Sequence, residues 1–336
     1  MKTKNILLFL TLLMVNMLYS CGDDKTSINE PENEKVSWTR QTSGTTATLN
    51  DVCFTDTNNG FIVGFSYNRT HYENTILRTT DGGMTWKSKI TPSNIKYYSV
   101  NFINAANGFM VGRDYTDPNY TNPGATCILK TTDGGEYWQQ LMSFNRLKTS
   151  RCIYFADIDH GWAVGDDGEI ISTSDGGLTW KSNNIGSLTW FEVYFNDINH
   201  GWIVGQSGYI MRTTDGGRVW STTIVSTNNL YSVSFVDTSV GWAAGANGTI
   251  IKTTDGGLTW IEQLSEKDCF FKRIRFVDIN NGYTVGCHGI IKTTDGGTTW
   301  TRESTTSGGL LYGLSFIDLN NAWAVGEGGT IYTKTK

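Results

Sequence analysis

Six aspartates recur in one short motif, Thr-x-Asp-Gly-Gly-x-x-Trp, and their carboxylates are the first groups in this chain that could do chemistry. They are Asp81, Asp133, Asp175, Asp215, Asp255 and Asp295. A glycosidase needs two carboxyl groups that face each other across one cleft. An aspartate followed by two glycines is instead typical of a tight turn, because its carboxylate can accept from backbone N–H groups two residues on and glycine reaches positive φ without strain. We therefore interpret all six as structural turn residues.

The motif returns at an almost constant interval. Successive aspartates lie 52, 42, 40, 40 and 40 residues apart. A second pattern, as in Val233-Ser-Phe235 followed by Gly241-Trp242, lies upstream of each motif and occurs seven times. Together the two patterns predict four short strands joined by tight turns in each repeat, without any helical period. Four strands in about 40 residues is the unit of a β-propeller blade.

The chain has seven repeats but only six Asp-Gly-Gly turns. The seventh repeat ends after its third strand, Thr330–Thr333, and lacks a fourth. Val36–Arg40 resembles the fourth strands of the other repeats, so we expect it to complete the last blade and to leave no free sheet edge. The prediction is an all-β, seven-bladed propeller of four-stranded blades over residues 36–336.

The first 35 residues do not follow the repeat. Residues 1–21 combine a basic start, a short apolar stretch and Leu18-Tyr19-Ser20-Cys21, which resembles the lipobox of bacterial lipoproteins. Cys21 would then be lipidated, and residues 22–35 would form a flexible acidic tether. This interpretation predicts an exported protein anchored by lipid to a bacterial membrane, at the outer membrane or the cell surface. The alternative is an ordinary signal peptide in which Cys21 is incidental.

Charge and cysteine content narrow the function further. The formal net charge is −5, whereas nucleic-acid binding calls for a basic surface. Five cysteines follow Cys21, and an odd number without a Cys-x-x-Cys spacing argues against a disulfide framework or a zinc site. A Cys269–Cys287 bridge and free buried thiols both remain open at this stage. We expect no cofactor, no metal and no nucleic-acid partner.

The complete repeat joins Val-x-Phe, Gly-Trp-x-Val-Gly and Thr-x-Asp-Gly-Gly-x-Thr-Trp segments, and it resembles the photosystem II assembly and stability factor family over residues 36–336. This resemblance implies a non-catalytic propeller that binds a protein partner, as an assembly or stability factor for a membrane complex. The Asp-Gly-Gly motif alone resembles the Asp-box (BNR) repeat of sialidases. The alternative is therefore a propeller that binds carbohydrate or hydrolyses glycosides.

The resemblance to sialidases is incomplete. Sialidases usually carry an Arg-Ile-Pro motif, whereas this chain has Arg273-Ile274-Arg275 and no Arg-Ile-Pro. The acids expected on the face opposite the Asp-box turns show no evident catalytic pair. These acids are Asp51, Asp166, Asp167, Glu192 and Glu327. We therefore expect that the protein is not an enzyme.

The expected binding surface is the face with the connections between second and third strands, which we call the loop face. The first two repeats have insertions there, Ser66–Thr75 and Arg113–Thr126, and long loops on a rigid scaffold often carry binding. Aromatic and arginine side chains dominate protein interfaces. The predicted binding residues are Arg113, Tyr115, Tyr120, Arg146, Arg151, Trp190, Phe271, Lys272 and Arg273. Alternatively, the insertions are merely tolerated, and the central channel is plugged by aromatics such as Tyr98, Tyr231 and Tyr312.

Overall fold

A computed structural model describes residues 37–69, 72–89, 94–115, 125–144, 149–267, 269–303 and 309–335. All of them belong to the second of the two compact units into which the chain divides, Val36–Lys336. These ranges contain twenty-eight strands in seven antiparallel four-stranded sheets, with three short 3-10 turns. No helix within them is long and apolar enough to cross a membrane. The prediction of an all-β, seven-bladed propeller is confirmed.

Each of the first six blades runs outward in chain order from an innermost strand. Blade 1 consists of β2 (Thr48–Phe54), β3 (Gly60–Tyr67), β4 (Tyr72–Thr79) and β5 (Lys87–Ser88). Blade 2 consists of β6 (Ile95–Phe102), β7 (Gly108–Asp114), β8 (Ala125–Thr131) and β9 (Gln139–Phe144). Blade 3 consists of β10 (Ser150–Phe155), β11 (Gly161–Gly165), β12 (Ile170–Thr173) and β13 (Lys181–Ser182). Blade 4 consists of β14 (Trp190–Phe195), β15 (Gly201–Gly205), β16 (Tyr209–Thr213) and β17 (Ser221–Ile224). Blade 5 consists of β18 (Leu230–Phe235), β19 (Gly241–Gly245), β20 (Ile250–Thr253) and β21 (Ile261–Leu264). Blade 6 consists of β22 (Phe271–Phe276), β23 (Gly282–Gly286), β24 (Gly289–Thr293) and β25 (Thr301–Arg302). The 3-10 turns connect second and third strands at Asp166–Gly168, Gln206–Gly208 and Glu327–Gly329.

Blade 7 is built from both ends of the repeat region. It contains β26 (Leu311–Phe316), β27 (Ala322–Gly326), β28 (Ile331–Lys334) and, as its outermost strand, β1 (Thr39–Gln41). Residue 39 pairs with residue 333, and residue 41 with residue 331. The tryptophan just before β1, Trp38, is buried and meets Tyr283 of blade 6 edge-on. The N-terminal strand therefore closes the ring as predicted.

Aromatic side chains hold adjacent blades together. The phenylalanine that ends an innermost strand stacks on a ring from the second strand of the preceding blade, as Phe235 does on Trp202 with 3.5 Å between ring centroids. Trp260, the Asp-box tryptophan of the same blade, meets Phe235 edge-on at 5.9 Å. The other stacked pairs of this kind are Phe54–Trp323, Phe102–Phe61, Phe155–Phe109, Phe195–Trp162 and Phe276–Trp242. These rings supply the large buried apolar area that such short strands lack.

The Asp-box turn is a closed hydrogen-bonded unit. In blade 5, the backbone N–H of Thr259 donates to Oδ1 of Asp255 at 2.9 Å, and Oγ1 of Thr253 donates to the same oxygen at 2.8 Å. Hydrogen bonds, first from the Thr259 hydroxyl, lower the pKa of Asp255 to about 2. The carboxylate thus binds an N–H four residues on, not two as expected, because Gly256 and Gly257 coil the chain back at positive φ. The same backbone bond is made by Asp81, Asp133, Asp175, Asp215 and Asp295.

The insertions of blades 1 and 2 begin as longer hairpins rather than as loops. In blade 1 the ladder continues through the pairs Ser66–Glu73 and Tyr67–Tyr72. In blade 2 it continues through Arg113–Thr126 and Asp114–Ala125. The expectation of long loops is therefore wrong for these residues, which are strand; Tyr67, Tyr72 and Thr126 are the β-prone side chains among them. Residues 70–71 and 116–124 lie outside the described ranges.

Candidate functional site

A β-bulge interrupts the innermost strand of every blade at the same position, next to the loop face. In blade 5 the register shifts between Leu230 and Ser232, and the residue between them, Tyr231, is left unpaired. A bulge bends its strand and re-aims the side chain of the extra residue. The seven bulged residues, all half-buried, form what we call the mouth ring: Asn50, Tyr98, Arg151, Phe191, Tyr231, Lys272 and Tyr312.

Side chains of the mouth ring touch one another from blade to blade. Nζ of Lys272 lies 3.8 Å from the ring centroid of Tyr231, and the Tyr231 ring meets Phe191 edge-on at 5.0 Å. The guanidinium of Arg151 lies 5.9 Å from the Phe191 centroid. Cations over aromatic faces are attracted by the ring quadrupole. An arc of two aromatic rings with a cation at each end therefore runs across blades 3 to 6.

Two further cations of blade 2 lie beside this arc. Nζ of Lys96 lies 4.0 Å from the ring centroid of Phe65 and 5.4 Å from that of Tyr98. The guanidinium of Arg113 lies 5.2 Å from the Tyr115 centroid. Burial lowers the pKa of Lys96, and the positive charges of Arg151 and Arg113 lower it further. We call Lys96, Arg113, Arg151 and Lys272 the basic cluster.

The electrostatics of the basic cluster favour an anion. The pKa of Lys272 is lowered first by burial and then by the charge of Arg151, so cations from blades 3 and 6 act on one another as well. Arg151 also pairs with Asp166, with 2.6 Å between Nε and Oδ1. A negative group placed among these cations would relieve their repulsion and form charge-assisted hydrogen bonds with them. The cluster is therefore suited to binding a carboxylate or another anion.

Beneath the mouth ring, an ionic network joins blades 1, 4 and 6. Arg273 bridges Asp51 of blade 1, at 2.7 Å, and Glu192 of blade 4. Arg275 also pairs with Glu192, at 2.7 Å. Burial would raise the pKa of Glu192, but the two arginines outweigh it and hold the pKa at about 2. The network borders a cavity of about 220 Å³ that also contacts Tyr154.

The structure brings together four of the nine predicted binding residues. Arg113, Tyr115, Arg151 and Lys272 lie at the mouth, whereas residues 120 and 146 lie outside the described ranges, as does Cys21. The sequence predicts Arg113 and Tyr115 from residue type and insertion position, and Arg151 and Lys272 from residue type and the expected loop face. Lys96 was missed altogether, although it lies only two residues before the bulged Tyr98 of blade 2.

The expected exposure of the other three predicted residues is wrong. Trp190 and Phe271 are each about 1% exposed and pack in the core between blades. They occupy the position before the bulge, where the side chain points between sheets rather than into the channel mouth. Arg273 follows the bulge and belongs to the buried ionic network. Neighbours in sequence therefore have different surroundings.

The carboxylates that could have served a glycosidase are engaged elsewhere. Asp51 and Glu192 pair with Arg273, and Asp166 pairs with Arg151. Glu327 accepts from the hydroxyl of Tyr312 at 2.9 Å and from the backbone N–H of residue 310. Asp51 and Glu192 thus link blades 1, 4 and 6, whereas Asp166 and Glu327 bind side chains of their own blades.

The disulfide question left open by the sequence is answered by the geometry. Cys269 and Cys287 of blade 6 are bonded to each other. Cys53, Cys127 and Cys152 are free, and burial raises the pKa of each of their thiols to about 12. A thiol with so high a pKa is a poor nucleophile. These three cysteines therefore act as small core residues.

Seven four-stranded blades, six of them with an Asp-box turn, define this protein as an Asp-box propeller. Its sequence matches the family described as photosynthesis system II assembly factor YCF48 over residues 30–150, 141–228 and 222–336, so the chain belongs to that family. A comparison with curated proteins found no match.

Solved structures share the fold. YCF48 bound to D1 peptide has a TM-score of 0.71 at 21% identity, covering 89% of this chain and 95% of that chain. YCF48 from Cyanidioschyzon merolae has a TM-score of 0.69 at 19% identity, covering 89% and 98%. The GH74 xyloglucanase from Xanthomonas campestris has a TM-score of 0.66 at 12% identity, covering 89% of this chain and 53% of that chain. At these identities the likeness shows the fold alone.

Proposed function

We propose that this chain is a non-catalytic propeller that binds an acidic peptide segment of a protein partner at the channel mouth. In this role it would act as an assembly or stability factor for a membrane complex. The observation that carries the proposal is the convergence of Lys96, Arg151 and Lys272 on one half-buried patch among aromatic rings. Membership of the YCF48 family, in which a YCF48 has been solved with a D1 peptide, supports a peptide as the ligand.

The surroundings of the basic cluster explain how a peptide would be held. A carboxylate would pair with two or more cations that are already partly desolvated, so little further desolvation is needed. The rings of Phe191, Tyr231 and Tyr98 would contact the apolar parts of the peptide, as aromatic anchors do in protein interfaces. Because these residues lie on bulged strands of a closed ring, they lose little freedom on binding.

The same residues favour binding over catalysis. A glycosidase needs a protonated acid opposite a second carboxyl group across an open cleft. Glu192 is held ionised by its low pKa, and its partner arginine also holds Asp51. The likeness to a GH74 xyloglucanase at 12% identity concerns the fold. Carbohydrate binding without catalysis is the competing outcome of the experiment below.

The experiment uses the full chain, purified from membranes with mild detergent. Fluorescence anisotropy measures its binding to a synthetic D1 peptide, to the same peptide with its carboxylates amidated, and to labelled xyloglucan oligosaccharides. We expect the unmodified peptide to bind in a salt-dependent manner and the amidated one to bind at least about tenfold more weakly, since a hydrogen bond to a charged group contributes about 1.5–3 kcal/mol.

Matched variants locate the site. Lys272→Glu should weaken peptide binding at least about tenfold, whereas Arg302→Glu, a charge reversal on the exposed outer strand of the same blade, should leave it unchanged. Equal effects of the two variants would contradict a site at the mouth. Saturable oligosaccharide binding that Lys272→Glu abolishes, with no peptide binding, would replace the proposal by the carbohydrate alternative.

We also propose that the protein is exported and anchored to a bacterial membrane through a lipid on Cys21. The lipobox-like Leu18-Tyr19-Ser20-Cys21 and the polar segment after it support this proposal. Cells fed an alkyne fatty acid should yield labelled protein in the membrane fraction, and Cys21→Ser should abolish both the label and the membrane association. An unlabelled, soluble wild-type protein would show that residues 1–21 are an ordinary signal peptide.

A further inference from the structure

A second group of reactive side chains lies on the loop face of blade 6. The Sγ atoms of Cys269 and Cys287 and a ring nitrogen of His288 all lie within 4.8 Å of one another. The two cysteines form a disulfide whose Cα atoms are 5.7 Å apart. Oε1 of Glu266 lies 3.1 Å from Nε2 of His288. Two sulfurs, an imidazole and a carboxylate therefore meet at one point of the surface.

The backbone holds these side chains in place. Cys287 and His288 are the two residues of the tight turn between β23 and β24. The N–H of Phe270, which follows Cys269, donates to Sγ of Cys287 at 3.2 Å, and the N–H of Cys287 donates to the carbonyl of Phe270 at 3.2 Å. The N–H of Glu266 is hydrogen-bonded to a backbone carbonyl of blade 5 at 3.0 Å. The arrangement is fixed by main-chain contacts and does not depend on the disulfide alone.

We propose that these residues form a redox-gated binding site for a thiophilic divalent cation of the zinc type. In the oxidised chain the two sulfurs are bonded to each other, and neither is available as a ligand. A dithiol reductant transfers two electrons and two protons to the disulfide and is itself oxidised to a disulfide. The cation then displaces the two thiol protons to solvent and is held by two thiolates and one imidazole nitrogen, with a fourth position open to water.

The donor set has the right chemistry and reach for this cation. Thiolate and imidazole are the ligands that zinc prefers. Two thiolates on a tetrahedral zinc stand about 3.8 Å apart, a separation that two cysteines with Cα atoms 5.7 Å apart reach by side-chain rotation. A carboxylate on the second nitrogen of a ligating imidazole orients the ring and raises its basicity. Glu266 is placed to do this for His288.

The site is open to both the reductant and the cation. Cys287 and His288 are half-buried, whereas Cys269 is buried, so attack by a dithiol falls on the sulfur of Cys287. The sequence predicts no zinc site, because the cysteines after Cys21 are odd in number and lack a Cys-x-x-Cys spacing. Only the fold, which places the start of β22 beside the turn between β23 and β24, brings the ligands together.

Cobalt titration of the full chain tests the proposal, since Co²⁺ reports thiolate ligation by its absorption. The chain is reduced with a phosphine, freed of it without oxygen, and titrated with Co²⁺ beside an unreduced sample. We expect one equivalent to bind the reduced chain with sulfur-to-cobalt charge-transfer absorption, and Zn²⁺ to displace it. The oxidised chain should show no charge-transfer band. The readout is independent of peptide binding at the mouth.

Variants assign the ligands. His288→Ala, a change in an accessible turn that keeps both cysteines, should weaken Co²⁺ binding at least tenfold, and Glu266→Gln should weaken it about 10–100-fold. Cys287→Ser should remove about half of the charge-transfer intensity. His160→Ala, whose ring contacts Asp157 in an unrelated turn, should change nothing. The proposal is overturned if the reduced wild type shows no charge-transfer band, if the oxidised chain binds equally well, or if His288→Ala binds like the wild type.

Discussion

Replacement of Arg273 by methionine should destabilise the propeller strongly, because this side chain neutralises two buried carboxylates. Arg273 contacts Asp51 of blade 1 and Glu192 of blade 4, and all three side chains are at most 10% exposed. Methionine fills much of the same volume but leaves the carboxylates with fewer partners. Breaking a buried ion pair on one side costs about 3–5 kcal/mol. We expect Arg273→Met to lower the free energy of unfolding by about this amount at pH 7.

The low pKa of Glu192, to which Arg275 and Arg273 both contribute, points in the same direction. Its arginine partners outweigh burial and lower the pKa from 4.5 to about 2, and each pKa unit corresponds to about 1.36 kcal/mol. The ionised form is thus favoured by about 3 kcal/mol in the folded state. Because the folded pKa lies below the unfolded one, this stabilisation is fully present above pH 4.5 and is lost as the pH falls towards 2.

Urea unfolding followed by tryptophan fluorescence checks this prediction at pH 7 and at pH 3. The difference between wild type and Arg273→Met should be largest at pH 7 and smaller at pH 3, where Glu192 of the variant becomes protonated. Arg302→Met, on the exposed strand β25, serves as the control and should cost less than about 0.5 kcal/mol. A loss below about 1 kcal/mol at pH 7 would refute the role of the ion network. An equal loss at both pH values would show that packing, not charge, is responsible.

Three further changes probe the parts of the scaffold. Thr253→Ala should lower the free energy of unfolding by about 1–2 kcal/mol in urea titrations, because its buried Oγ1 bonds Asp255 and the N–H of Gly257; Thr253→Ser should restore most of the loss, and equal losses for both would contradict the hydrogen-bond explanation. Trp38→Ala should lower the free energy of unfolding by about 3–5 kcal/mol in the same assay, since Trp38 is buried against Tyr283 where the ring closes. A loss of stability no larger than that of Tyr137→Ala, a change at an exposed residue, would refute this. Gly245→Ala should reduce the midpoint of thermal unfolding sharply, because the new Cβ would lie 2.0 Å from the carbonyl oxygen of residue 229. An unchanged midpoint would show that the backbone there shifts to accommodate the Cβ at little cost.

The fold could be predicted from the sequence because nearly every repeat contains the same turn and packing residues. The Asp-Gly-Gly turn, the phenylalanine that ends the innermost strand and the Asp-box tryptophan recur at nearly fixed spacing, and each acts within its blade or on its neighbour. Ring closure by β1 could also be predicted, since Val36–Arg40 resembles the fourth strand that the last repeat lacks. Local patterns that agree in every repeat leave few alternative folds.

The candidate site was only partly predictable, because strand alternation fails at a bulge. In an undisturbed strand, Trp190 and Glu192 would share one face and Phe191 the other. The bulge instead gives each of the three residues its own surroundings: the core between blades, the mouth ring and the channel network. Residue type favoured Trp190 as a binding residue, but its position before the bulge places it in the core. The sequence of a single repeat contains no periodic pattern that predicts the bulge.

Comparison of the seven repeats at these positions shows where specificity can reside. The residues before the bulge are Leu49, Tyr97, Ser150, Trp190, Leu230, Phe271 and Leu311, and all are buried. The bulged residues are half-buried in every blade, yet they comprise one asparagine, four aromatics and two cations. The backbone is the same at this position in all seven blades, but the residue type differs. The fold therefore does not determine which side chain stands there. The cations of blades 3 and 6, joined by Lys96 and Arg113 of blade 2, break the seven-fold symmetry of the scaffold, and an asymmetric ligand such as a peptide requires that asymmetry.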